Sequence, residues 1–206
     1  GWDGTVDNFI WSKDGKNVFF VAPVDGTKQL FTVNFPGVTR IAITVRQLTS
    51  GDFDVNDLVG FVGDDIIVTR TDMNHAAEIY SFNLKKNSWK QISNVNTDTY
   101  KTLTLSKTEK RYVTTTDGKK MLVWVILPPN FDASKKYPTL LFCQGGPQSP
   151  LTQSYSFRWN FSLMAAKGYV VVAPNRRGMP GHGVEWNEQI SKDWGGQVMD
   201  DYLSAI

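Results

Sequence analysis

Three stretches of this chain carry residue types and spacings that could do chemistry. The first is Gln144-Gly145-Gly146-Pro147-Gln148, directly after the apolar run 140–143. Glycine has no Cβ, so its backbone can approach a ligand closely and turn N–H groups toward it. Such donors stabilise the negative charge that gathers on a carbonyl oxygen during acyl transfer, and losing one costs about 2.7–4 kcal/mol of barrier. The same residues also suit an ordinary tight turn. The second stretch is Asn175-Arg176-Arg177-Gly178-Met179-Pro180-Gly181-His182-Gly183, again after an apolar run. Arg176 or Arg177 could bind a substrate carboxylate, or could hold the loop through a neighbouring aspartate. The third is Asp193-Trp194-Gly195-Gly196, leading into Gln197-Val198-Met199-Asp200-Asp201-Tyr202. Its acidic and glycine residues fit a helix N-terminus, where negative charge is favoured. Adjacent aspartates on a helix point in different directions, so Asp200 and Asp201 read as solvated or loop-tethering groups and not as a catalytic pair.

Other chemistries find little support. There are two histidines and one cysteine, with no HExxH or CxxC spacing, so no metal site is expected. Cys143 lies in an apolar run and reads as a small buried hydrophobe. His75 reads as a turn residue in a β-rich region, and His182 as a structural member of the glycine loop. No cofactor motif is present. The 22 basic residues are nearly balanced by 20 acidic ones, which gives no electrostatic case for nucleic acid or an anionic membrane surface. No window approaches the ~20 apolar residues of a membrane-spanning helix.

The elements that must position these loops change character near residue 105. Before it, short strands alternate with turns. Asp14-Gly15 and Asp25-Gly26 are hairpin signals, followed by strands at 18–21 and 29–33. The pattern then recurs: Glu78-Ile79-Tyr80-Ser81-Phe82 matches Gln29-Leu30-Phe31-Thr32-Val33, and Lys90-Gln91-Ile92-Ser93 matches Arg46-Gln47-Leu48-Thr49. A weak repeat of roughly 40–50 residues with several strands per unit suggests propeller blades, and two blades cannot close a ring that needs about 4–8. After residue 105 come a β-rich segment at 111–116, an apolar strand at 121–127, and a second apolar run at 139–143 with the composition of a strand buried on both faces. A helix is expected over about 159–167 with Gly168 just past its end. Residues 169–173 form the next strand, which completes a right-handed βαβ unit. A last helix is expected over about 197–206, with Met199, Leu203 and Ile206 on its apolar face.

In this order and spacing, the Gln144-Gly145-Gly146-Pro147 loop, the 175–183 loop and the Trp194-Gly195-Gly196…Asp200-Asp201 helix resemble the prolyl oligopeptidase family of serine peptidases, most closely its dipeptidyl-peptidase and acylaminoacyl-peptidase branches. The Trp11-Ser12-Lys13-Asp14-Gly15-Lys16 unit is similar to that family's β-propeller. The resemblance implies a mixed fold: C-terminal propeller-like blades over residues 1–105, then the N-terminal portion of an incomplete α/β-hydrolase domain over 106–206. It implies hydrolysis of peptide bonds in short peptides, with the chain alone inactive. The family's Gly-x-Ser-x-Gly elbow does not occur here, so the serine, acid and histidine are expected beyond Ile206. Some branches use a tyrosine hydroxyl where Gln144 stands. The donor is therefore assigned to the backbone N–H of Gly145 or Gly146, as in the acylaminoacyl-peptidase branch. The remainder of the polypeptide, or another chain, is expected to complete the sheet. The rival reading is a non-catalytic, propeller-based interaction module.

Overall fold

The computed structural model describes residues 4–35 and 43–206. They form three four-stranded sheets. The first is an antiparallel meander of β1 (Asn8–Trp11), β2 (Asn17–Val24), β3 (Thr27–Asn34) and β4 (Val45–Gln47), paired in chain order. The second repeats it with β5 (Asp54–Val62), β6 (Asp65–Asp72), β7 (His75–Asn83) and β8 (Ser88–Gln91). The two sequence matches fall on β3 with β7 and on β4 with β8, so the internal repeat is a structural one. Each sheet is blade-like, and the two stack. Phe19, Val21 and Leu30 of the first pack against Val55, Ile66, Val68 and Phe82 of the second.

The local signals act as expected. Asp25 and Gly26 both have positive φ, +46° and +75°, and the register closes as Val24 opposite Thr27. That is a two-residue hairpin whose twist matches its flanking strands. Gly26 is required there for a second reason. A Cβ at this position would lie 2.9 Å from the indole nitrogen of Trp124 in the third sheet.

After a single helical turn, α1 (Thr97–Tyr100), the third sheet is built from β9 (Lys107–Thr114), β10 (Lys120–Leu127), β11 (Thr139–Leu141) and β12 (Val170–Pro174), in the order β11-β12-β10-β9. β11 and β12 run parallel, joined across α2 (Phe161–Ala166). The Asn160 side chain accepts the Leu163 N–H at 2.8 Å and caps α2. The apolar run of β10 is buried on both faces and splits by period two. Leu122, Trp124 and Ile126 join Phe161, Ala165 and Met179 on one side, while Met121, Val123 and Val125 join Val172 and Trp186 on the other. Two further helices, α3 (Val184–Glu188) and α4 (Gln197–Leu203), follow β12.

The blades dock on this sheet through polar contacts. The Asp25 carboxylate accepts Lys110 Nζ and the Tyr112 hydroxyl, each at 2.7 Å, and its backbone N–H donates to Gly181 O at 2.8 Å. Asp54 is fully buried where both blades meet the third sheet. Its Oδ1 accepts the backbone N–H groups of Lys28 (2.8 Å) and Gln153 (3.1 Å), and its Oδ2 accepts the Thr152 hydroxyl (2.6 Å). Burial outweighs those hydrogen bonds and pushes the carboxyl up to about 6. A carboxyl with a raised folded value binds more protons folded than unfolded between pH 4 and 6, so its contribution to stability falls as pH rises through that window. Asp54→Asn keeps an Oδ1 acceptor for both amides and offers Nδ2 to the Thr152 oxygen. The variant is expected to be more stable than the wild type above pH 6, and to flatten the pH dependence of the denaturant midpoint between 4 and 6. An unchanged slope would refute this account.

Three expectations are corrected. β11 is the outermost described strand of its sheet, so its residues are largely exposed, and Cys143 just beyond it is exposed too. An apolar run marks affinity for burial, and among the described strands only β12 pairs with this one. α4 ends at Leu203, and the face it buries carries Val198, Asp201 and Tyr202. Met199 and Leu203 lie on its exposed side, because the buried carboxylate of Asp201 is held inward by an arginine, and Ile206, beyond the helix end, is exposed as well. Finally, α3 follows directly on the glycine loop where no helix was expected. Its five residues are too few to show a helical period.

Candidate functional site

The Gln144–Gln148 loop leaves the end of β11 and lies over the loop that leaves the end of β12. At such positions, outside the carboxyl ends of neighbouring parallel strands, open α/β sheets bind ligands. Arg176 joins the two loops from beneath. Its Nη1 donates to Pro147 O and to Arg177 O, both at 2.7 Å, and its Nη2 donates to Gln144 O at 3.1 Å. Its Nε contacts the Tyr202 hydroxyl at 3.1 Å, which in turn donates to Gln144 O at 2.9 Å. The carbonyls at both ends of the glycine pair are thus held by one guanidinium and one phenol. The N–H groups of Gly145 and Gly146 have no acceptor among the described residues. Gly145 is exposed with no neighbour within 4 Å of a would-be Cβ, and Gly146 takes φ +107°, a conformation that side chains disfavour. The loop therefore combines clamped carbonyls with open donors. That arrangement can receive a developing oxyanion.

Arg177 is committed elsewhere. Its backbone N–H and Nε donate to Asp201 Oδ2 at 2.9 and 2.8 Å, and its Nη2 donates to Asp201 Oδ1 at 2.9 Å. The same guanidinium reaches Asp117 Oδ1 and Oδ2 at 3.0 and 3.1 Å, in the β9–β10 turn, and lies 5.2 Å from the Trp186 ring. Burial works against its charge, but the two carboxylates prevail and raise its affinity for the proton. The Arg177 hydrogen bond, aided by the Thr115 hydroxyl, holds Asp117 down at about 2. Arg176 and Arg177 are 3% and 5% exposed. Both face inward onto protein acceptors, so neither is placed to meet a substrate carboxylate. They are the framework of the loop.

Asp201 serves as the loop tether, and Asp200 is solvated. Sequence reasoning missed Asp117 and Tyr202 as members of this framework. The signal available for Asp117 was charge alone: two consecutive arginines behind a buried strand require carboxylates nearby. His75 opens β7 at the β6–β7 hairpin end of the second blade and bonds Asp72 through Nδ1 at 2.9 Å. His182 packs near Asp25. Burial lowers it to about 4, and its Nε2 has no partner among the described residues. The described residues contain no cluster of three or more potential metal-ligating side chains, and no helix among them is long and apolar enough to cross a membrane.

Comparison with known proteins identifies the family. Residues 155–206 match the model of the prolyl oligopeptidase family, and residues 2–122, more than half of the chain, match that of the dipeptidyl peptidase IV N-terminal region. The chain belongs to the prolyl oligopeptidase family. It is 42% identical over 205 residues to dipeptidyl-peptidase 5 of Porphyromonas gingivalis, which spans all of this chain and 29% of that protein. It is 44% identical over 191 residues to the dipeptidyl-peptidase 5 of Porphyromonas endodontalis, covering 92% of this chain and 26% of that one. The chain thus spans under a third of these family members. Among solved structures, Pyrococcus horikoshii acylaminoacyl peptidase superposes with a TM-score of 0.80 at 21% identity, over 99% of this chain and 30% of that one. Porphyromonas gingivalis dipeptidyl peptidase 4 superposes with a TM-score of 0.72 at 20% identity, over 100% and 29%. At these identities the likeness is one of fold. The family's fold accounts for the blade-like sheets and for the partial α/β layer behind them.

Proposed function

We propose that this chain forms the oxyanion side of a serine-type peptidase that hydrolyses short peptides, of dipeptidyl- or acylaminoacyl-releasing type. The observation that carries this reading is the Gln144–Gln148 loop, with carbonyls clamped by Arg176 and Tyr202 and the Gly145 and Gly146 N–H groups open. In such an enzyme a serine attacks the scissile carbonyl. A histidine takes the serine proton and later gives it to the leaving amine, and an aspartate orients the imidazole. The N–H of Gly145 or Gly146 meets the tetrahedral oxyanion. A propeller that includes these two blades would narrow access to the site and so favour small peptides.

The nucleophile is assigned outside these 206 residues. The sequence contains no Gly-x-Ser-x-Gly, and both histidines have other surroundings. The exposed outer edge of β11 and the exposed Trp194, Met199, Leu203 and Ile206 suit coverage by further strands and helices of the same polypeptide. Reaction with a fluorophosphonate tests the assignment. The full-length peptidase is expected to label on one serine, and this chain is expected to remain unlabelled. Stoichiometric labelling of a serine within the chain would overturn it.

A further inference from the structure

We propose that the second blade holds a separate ligand site, built around Arg70, for a carboxylate-bearing small molecule. A cavity of about 490 Å³ lies at the end of this blade between β6, β7 and α1. None of its lining residues belongs to the 144–148 or 175–183 loops. Its volume falls within the range of about 300–1,000 Å³ that holds small ligands.

The charges in this cavity are unequally satisfied. Arg70 on β6 sits directly opposite Glu78 on β7. Opposite charges at such a cross-strand position ordinarily pair, yet these two do not. Glu78 is buried and turns away to accept the Ser93 hydroxyl and, at 3.2 Å, the Asn96 N–H. Asp72 is also occupied, by the Asn74 N–H at 2.8 Å, the His75 N–H at 3.0 Å and the His75 Nδ1 at 2.9 Å. Lys101, at the rim, pairs with Asp98 at 2.9 Å.

The Arg70 guanidinium is the exception. It lies 3.7 Å over the Phe53 ring and 5.1 and 5.4 Å from the Tyr80 and Trp89 rings, and its N–H groups find no acceptor among the described residues. Stacking fixes the plane of the guanidinium and leaves its edge donors free. A second donor lines the same cavity. The Tyr100 hydroxyl oxygen accepts the Ala76 N–H at 2.7 Å, and its proton has no acceptor among the described residues. A partly buried planar cation held on aromatic rings, with free edge donors and a hydroxyl on the same cavity, matches a carboxylate attached to an apolar body. Arg–carboxylate pairing in this form is two-pronged and about twice as strong as a neutral hydrogen bond.

The test compares N-acetylphenylalanine with its primary amide, titrated into the full chain by isothermal calorimetry. The acid is expected to bind saturably and at least about tenfold more tightly than the amide, a difference of about 1.4 kcal/mol. Arg70→Met retains an apolar side chain over Phe53 and is expected to abolish the preference. Tyr100→Phe, a milder change, is expected to weaken acid binding several-fold without affecting the amide. Equal affinities for acid and amide, no saturable binding of either, or a preference that survives in a folded Arg70→Met variant would each overturn the proposal. The acid–amide contrast is read on the unaltered chain, so it stands even where a variant fails to fold.

Discussion

Asp201→Ala is expected to destabilise this chain by about 3–5 kcal/mol, the range for removing one partner of a buried ion pair. Asp201 is fully buried and accepts three N–H donors from Arg177, one of them from the backbone. Without it the Arg177 guanidinium stays buried with only Asp117 for a counter-charge. The loop, α4 and the β9–β10 turn then lose their common anchor. The comparison variant is Asp117→Asn. Asp117 is 30% exposed in its side chain, so its pairing is partly screened and removing its charge is expected to cost no more than about 1 kcal/mol. Guanidinium-induced unfolding of the two variants measures the contrast. Equal losses would mean that Arg177 does not depend on the buried partner. Asp117 also supplies a pH signature. Its folded value near 2 lies below the ordinary aspartate value, so the stabilisation it contributes is complete above about pH 4 and is lost as pH falls toward 2.

Arg176→Met is expected to loosen the glycine loop and to impair the peptidase more than it impairs folding. The side chain donates to three backbone carbonyls. Gln144 O keeps the Tyr202 hydroxyl, while Pro147 O and Arg177 O lose the guanidinium. Pro147 O is only part-buried and can take water, so the cost in stability is about 1–3 kcal/mol, that of the one buried acceptor left unpaired, Arg177 O. In the full-length enzyme the larger effect is expected in turnover. Oxyanion donors work by being held in place before charge develops, so a loop free to move forfeits much of their benefit. A fall in kcat of about 10²-fold, comparable to loss of one donor, is expected with a smaller change in KM. Arg176→Lys, which can reach one carbonyl but cannot span the loop, is expected to recover only part of it. A variant with normal kcat would show that the loop is held by other means.

Much of the fold was legible in the residues. The hairpin turns at Asp14-Gly15 and Asp25-Gly26, the two blade-like meanders, the β11-α2-β12 unit and the cap at Gly168 follow from local rules. Turn chemistry and strand period act over a few residues and need no distant partner. The glycine loop was also legible as a place where backbone could meet a ligand. The apolar face of α4 was not. Met199, Leu203 and Ile206 have helical spacing, but the position of Asp201 two residues after Met199 reversed the face that turns inward. Nor was the exposure of β11 and Cys143, because an apolar strand carries no mark of how many neighbours it has.

The glycine loop shows where the division falls. Sequence alone determined that Gly145 and Gly146 follow a strand and that two arginines follow the next one. Only the tertiary structure decided that the arginines face inward: Arg176 holds the carbonyls of the first loop and Arg177 holds Asp117 and Asp201. The physical reason is desolvation. A guanidinium under a loop must find acceptors for its donors, and apart from Arg177 O and Gln189 Oε1 those acceptors lie 24 to 60 residues away in the chain. Which of them it meets depends on how β10, β12 and α4 pack, a property that local sequence does not encode.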